Sequence, residues 1–162
     1  MALFELQRDF PIFSDLVQNE TSIQIAHCRK YANVTGTAGQ VLYIGDILID
    51  NRDGTLAIPA DIAAILAAEH LAIYIGNDPF NNQITGVKTY NPNYTEFKAG
   101  LLTQRVDVIW RGQCGLSRGG IVGTSRGDSG LRFPVGTTPA QMKQVWDKLT
   151  VDNGLTILRQ VP

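Results

Sequence analysis

Two short stretches carry residue types that could do nucleophilic chemistry: Ala26-His27-Cys28 near the amino end and Gly127-Asp128-Ser129-Gly130 near the carboxyl end. A serine hydroxyl becomes a useful nucleophile when an imidazole takes its proton and a carboxylate orients that imidazole. Here Ser129 would attack a carbonyl and His27 would act as base. An aspartate between them, Asp50, Asp53 or Asp78, would stand behind the histidine, and backbone amides near Ser129 would form the oxyanion hole.

These two motifs, in this chain order, resemble the histidine and serine motifs of the chymotrypsin-like serine proteases. That resemblance covers seven residues of 162, and Leu131 stands where a second glycine usually follows the serine motif. Only 26 residues precede His27, too few for the strands that come before the histidine in that double barrel. With 16 glycines in the chain, GDSG is read as a turn, and the small serine protease remains the alternative. Arg126-Gly127-Asp128-Ser129 also spells an integrin-binding tetrapeptide, which would require extracellular display.

Other chemistries find less footing. Two histidines and two cysteines are scattered, so no metal site is expected, and neither GxGxxG nor GxxxxGK[ST] occurs. No two acids are marked out as a glycosidase pair. Fourteen basic against fifteen acidic residues give a net charge of −1, which lacks the basic footprint of a nucleic-acid binder. No apolar run reaches the roughly 18 residues that span a bilayer, and no segment reads as a signal peptide, so synthesis in the cytoplasm is expected. Cys28 and Cys114 are read as buried thiols in a reducing compartment, with pairing left open. The Asn-x-Thr triplets at Asn19, Asn33 and Asn93 would matter only after secretion.

The elements that must position these residues are mostly strands. Residues 1–20 hold Phe4, Phe10 and Phe13 around Pro11 without clean periodicity and are read as an extended N-terminal arm, followed by one β-rich domain over residues 21–162. Alternation predicts a strand over Ser22–Ala32 and a loop through Gly39. Gly39–Gly54, GQVLYIGDILIDNRDG, predicts two short strands and a turn at Asn51–Gly54. A helix follows over Ala60–His70, then a strand over Leu71–Ile75. Asn81–Gly100 reads as a long excursion bearing Tyr90, Tyr94 and Phe97, and Arg105–Gly112 as a half-exposed strand with Val106, Val108 and Trp110 on one face. Thr138-Pro139 with Gln141 is an N-cap, a favourable first helical residue and the third member of a capping box, predicting a helix to about Leu149 with Met142, Val145, Trp146 and Leu149 on its inner stripe. Trp146 is read as its anchor to the core. A final strand ends the chain. The expected fold is mainly β (β-rich α+β): a single compact sandwich or barrel-like domain with two short helices.

Taken as a whole, the strand pair AGQVLYIGDILID, the turn NRDGT, the helix PADIAAILAAEH, the strand LAIYIGND and the later strand RVDVIWRG resemble tailed-phage capsid decoration, or cement, proteins over Gly39–Gly123. The resemblance implies a non-enzymatic virion protein that binds the outer surface of a phage capsid and stabilises contacts between neighbouring major capsid protein subunits. Its partners would be the major capsid protein and neighbouring copies of itself, as a dimer or trimer, with no cofactor, nucleic acid or membrane. A tail or neck component is a further alternative. Phe4, Phe10 and Phe13 of the arm and Tyr90, Tyr94 and Phe97 of the excursion are the expected protein-contact residues, because aromatic area on such segments favours burial against a neighbour.

Overall fold

The structure is a computed structural model that describes residue 11, residues 16–17, 27–78, 93–112 and 114–158. Eleven strands and two helices occupy those residues. β1 (Arg29–Thr35), β2 (Val41–Tyr43), β3 (Ile47–Asp50) and β4 (Thr55–Ala57) lead to α1 (Ile62–Ala67) and β5 (Leu71–Asn77). β6 (Tyr94–Glu96), β7 (Thr103–Ile109), β8 (Gly115–Ser117) and β9 (Gly120–Ile121) precede β10 (Arg132–Phe133), α2 (Pro139–Asn153) and β11 (Thr156–Leu158).

Five strands close a barrel in the order β1-β4-β3-β5-β7, with β7 returning to β1. Four of the five seams are antiparallel. The β1–β7 ladder is the longest, running from Arg29 opposite Ile109 to Thr35 opposite Thr103. The fifth seam, β1 with β4, is parallel and pairs Asn33 with Thr55 and Val34 with Leu56. The β3–β4 hairpin makes that seam possible, because the amide of Asn33 donates to the carbonyl of Gly54 inside the turn. Gly54 sits at φ +90, a left-handed conformation that glycine adopts without steric cost.

The remaining strands form three two-stranded sheets, β2-β6, β8-β11 and β9-β10, packed around the barrel. β5 is buried from Leu71 through Ile75 because other layers cover the face that the barrel does not. Tyr74 shows how: its hydroxyl and that of Thr95 in β6 share a hydrogen bond of 2.7 Å, both side chains fully buried. A buried polar pair of this kind is tolerated because each hydroxyl satisfies the other.

α2 begins with the capping box foreseen at Thr138: Gln141 N–H donates to the Thr138 hydroxyl at 3.2 Å and Gln141 Oε1 accepts from Thr138 N–H at 2.8 Å. The helix continues past Leu149 to Asn153 and ends on Gly154 in the left-handed conformation. The extra turn has a cause. Asn153 is buried and its Nδ2 donates to the carbonyls of Leu71, where β5 begins, and Trp110, where β7 has ended. Its own carbonyl accepts from Gly112 N–H, so one residue ties the helix end to two barrel strands.

The sheet reading holds as a compact β-rich domain with a closed barrel and two helices. Four local expectations are corrected. The strand read over Arg105–Gly112 is Thr103–Ile109 and is buried on both faces from Val106 onward, because the barrel covers one side and the outer layers the other. The first helix is one and a half turns, held by Asp61, whose side chain accepts from Ala64 N–H. β1 begins at Arg29, inside the expected strand, and runs past its expected end at Ala32 to Thr35, since Ala32 and Val34 point into the core; residues 22–26 of that expectation lie outside the described residues. α2 runs to Asn153, past the expected end near Leu149. Of the expected arm, Pro11, Leu16 and Val17 are described. All three are buried, and Val17 bridges Leu116 of β8.

Replacing Asn153 by alanine leaves two buried carbonyls without a donor. An unsatisfied buried acceptor costs roughly 1–3 kcal/mol, so Asn153→Ala is expected to lower unfolding free energy by about 2–4 kcal/mol in urea titrations. Asn153→Asp, which faces a carboxylate toward the same carbonyls, is expected to cost more; an unchanged midpoint for either variant would contradict this tie.

Candidate functional site

Ser129 and the aspartates singled out for catalysis are held by structural bonds. The GDSG segment forms a single 3-10 turn (Gly127–Ser129) between β9 and β10. A Cβ on Gly127 would lie 2.1 Å from the Ile121 carbonyl oxygen, and one on Gly130 would lie 2.6 Å from the Gly119 nitrogen. Both glycines are therefore required by close backbone approach, with no catalytic reason needed. Asp128 accepts from Arg132 Nη1 at 2.7 Å, and the Ser129 hydroxyl donates to the Ser125 carbonyl at 2.7 Å.

His27 is an exposed helical residue two positions before β1, and it makes no hydrogen bond among the described residues. The three aspartates named to orient it are engaged by others. Asp50 accepts from Lys30 Nζ at 2.7 Å, Asp53 from the Thr55 amide and hydroxyl at 2.9 and 2.6 Å, and Asp78 pairs with Arg105 at 3.2 Å. The structure does not bring the serine, the histidine and an acid into one hydrogen-bonded chain.

The expected contact aromatics divide. Phe4, Phe10, Phe13 and Tyr90 lie outside the described residues. Tyr94 is half-buried in β6 opposite Tyr43 of β2, with ring centroids 6.3 Å apart. Phe97 is fully buried over Gly36, where an added Cβ would sit 2.6 Å from the ring. It is a core residue in this conformation, because the turn before β7 folds it inward, and so it presents no surface to a partner. Trp146 anchors α2 as expected: its Nε1 donates to the Arg118 carbonyl at 3.0 Å and its ring stands edge-on to Phe133, centroids 6.0 Å apart.

Charge is concentrated instead at positions that sequence spacing does not connect. Arg132 is nearly buried, donates to Asp46 Oδ1 at 2.9 Å and to Asp128, and lies 5.0 Å from the Tyr43 ring centre. On the outer face of β1 and β7, Arg29 pairs with Asp107, and Arg105 stacks on the half-exposed Tyr31 at 4.9 Å. At the end of the barrel where β1 begins and β7 finishes, Lys30, Arg52 and Arg111 gather around Trp110. Only Arg111 neighbours Trp110 in sequence; the other two arrive through barrel closure, which is why inspection of the chain misses the cluster.

Burial governs the ionisation of the acids in these pairs. It pushes the Asp46 carboxyl above the ordinary range, against the opposing charge of Arg132 and the Tyr43 N–H. It does the same to Asp107 against the opposing hydrogen bond and charge of Arg29. The Cys28 thiol is raised by burial as well, partly offset by Arg111, and Cys28 and Cys114 are both buried. Among the described residues, no three His, Cys, Asp or Glu side chains are placed to hold a metal, and no helix is long and apolar enough to cross a membrane. Comparison with protein-family models, with curated proteins and with solved structures gives no match. The class that fold and site define is a closed five-stranded barrel with charged surface clusters.

The sign of one pH effect follows. A carboxyl that holds its proton more tightly when folded contributes stability that is fully present below its unfolded pKa, about 4, and lost as pH rises through the raised folded value. Asp46→Asn removes that contribution. The unfolding free energy of the parent, measured relative to Asp46→Asn, is expected to fall as pH rises from about 4 and then level off. A difference that grows with pH would show the Arg132 pairing to outweigh burial.

Proposed function

We propose that this chain is a non-enzymatic virion structural protein, one that binds the outer surface of a phage capsid and stabilises contacts between neighbouring major capsid protein subunits. One observation carries the non-enzymatic half of this reading: Ser129, Asp50, Asp53 and Asp78 each hold a local structural bond, and none of them is linked to His27. The capsid half is supported by the pattern resemblance of Gly39–Gly123 to cement proteins. A barrel without catalytic demands suits that task. Many copies on a repeating shell multiply modest contacts through avidity, and each copy needs only a rigid body and an adhesive face.

The binding partners in this reading are the major capsid protein and neighbouring copies of the chain, as a dimer or trimer. The test joins two assays on the full chain. Co-sedimentation with shells stripped of accessory proteins is expected to saturate at a fixed ratio to capsid subunits. A fluorophosphonate probe is expected to label the parent no more than Ser129→Ala. Labelling that disappears in Ser129→Ala would make the protein a serine hydrolase, and shells that leave the chain in the supernatant would remove the cement reading.

A further inference from the structure

Trp110 is a half-buried ring just beyond β7, its backbone fixed on both sides by the N–H bond to the Cys28 carbonyl and by Asn153 Nδ2 on its own carbonyl. Lys30 Nζ lies 4.3 Å from the ring centre, Arg111 Cζ 4.4 Å and Arg52 Cζ 5.7 Å. Each distance is within cation–π range, yet three like charges around one indole repel each other. Two carboxylates lie on the same hairpin. Asp50 takes Lys30 on Oδ2 and the Arg52 amide on Oδ1, which compensates Lys30. Asp53 turns to the Thr55 amide and hydroxyl. The guanidinium groups of Arg52 and Arg111, both on exposed residues, have no carboxylate partner among the described residues.

Arg52 adds an independent sign. It is the one non-glycine residue with positive φ among the described residues, at +55. A side chain there costs on the order of 1 kcal/mol that glycine avoids and asparagine largely avoids. The hairpin thus carries an arginine at a position where its backbone conformation favours other residues, and that arginine's charge joins the cluster over Trp110.

We propose that this end of the barrel is a docking site for an acidic segment of a partner protein, whose carboxylates are received by Arg52 and Arg111 beside Trp110. Guanidinium groups bind carboxylates through paired, directed N–H bonds, and a fixed aromatic platform limits the freedom they lose on binding. Protein is favoured over nucleic acid on two grounds. Two cations already stand within 4.4 Å of the indole centre, so a base could stack there only by displacing them. The chain as a whole, at net charge −1, also lacks the overall positive charge that favours a phosphate backbone. The inference stands whether or not the partner is a capsid subunit.

The experiment titrates the isotope-labelled full chain with a capped hexaglutamate peptide and follows the two tryptophan indole N–H signals, assigned with Trp146→Phe. A capped hexaserine peptide and an eight-residue oligothymidylate serve as comparisons. The Trp110 signal is expected to shift saturably with hexaglutamate, to ignore hexaserine, and to respond more weakly to the oligonucleotide, with Trp146 unmoved. Arg52→Asn combined with Arg111→Gln is expected to weaken hexaglutamate binding by about tenfold or more, for two lost charge-assisted contacts. The same variant should melt no lower than the parent, since asparagine relieves the backbone at position 52. No shift, an equal shift at Trp146, unchanged affinity in the double variant, or tighter binding of the oligonucleotide would each overturn the proposal. Shell co-sedimentation of the same variant reports separately on the capsid reading.

Discussion

One parallel seam, two residue pairs long, turns an open sheet into a barrel. β1 is bound along its full length to β7, but its other edge would face solvent without β4. Exposed strand edges invite pairing with other chains, and closure removes that liability. The seam depends in turn on the hairpin Asn51–Thr55, because Gly54 supplies the carbonyl that accepts from Asn33. Local turn chemistry thereby fixes a contact between strands some twenty residues apart, and through it the position of every other layer.

Around the closed barrel, polar groups act as fasteners at points where apolar packing alone gives no register. Asn153 holds the end of α2 against β5 and β7. Arg132 holds β10 against the β2–β3 turn through Asp46, at a cost visible in the raised proton affinity of that half-buried carboxyl. A buried ion pair is costly to desolvate and contributes mainly by excluding other arrangements, a description that fits a site joining three short elements. The cluster at Trp110 differs from these fasteners, because two of its cations have no carboxylate partner among the described residues.

Much of the scaffold was legible in the sequence where a local rule decides the outcome. The Thr138 capping box, the Asn51–Gly54 turn and the strand Leu71–Ile75 each follow from residues within a few positions of one another. The failures share a cause. Arg105–Gly112 read as a half-exposed strand, yet the outer layers and Arg29 bury its Asp107. Phe97 read as a contact residue in a long excursion, yet the space above Gly36 admits its ring. Each reversal rests on a partner far away in sequence. The Lys30, Arg52 and Trp110 grouping is beyond periodicity for the same reason, since it exists only after closure.

In the proposed reading the closed barrel works by contact, with Asp46, Arg132 and Asn153 engaged in holding its shape. Its central claim concerns where the chain sits. Electron cryomicroscopy of accessory-stripped shells, reconstructed with and without the added chain, tests this directly. The account predicts additional density of barrel size at regular positions on the outer surface, in contact with more than one capsid subunit. Shells that remain bare, or density confined to the portal or tail, would contradict it.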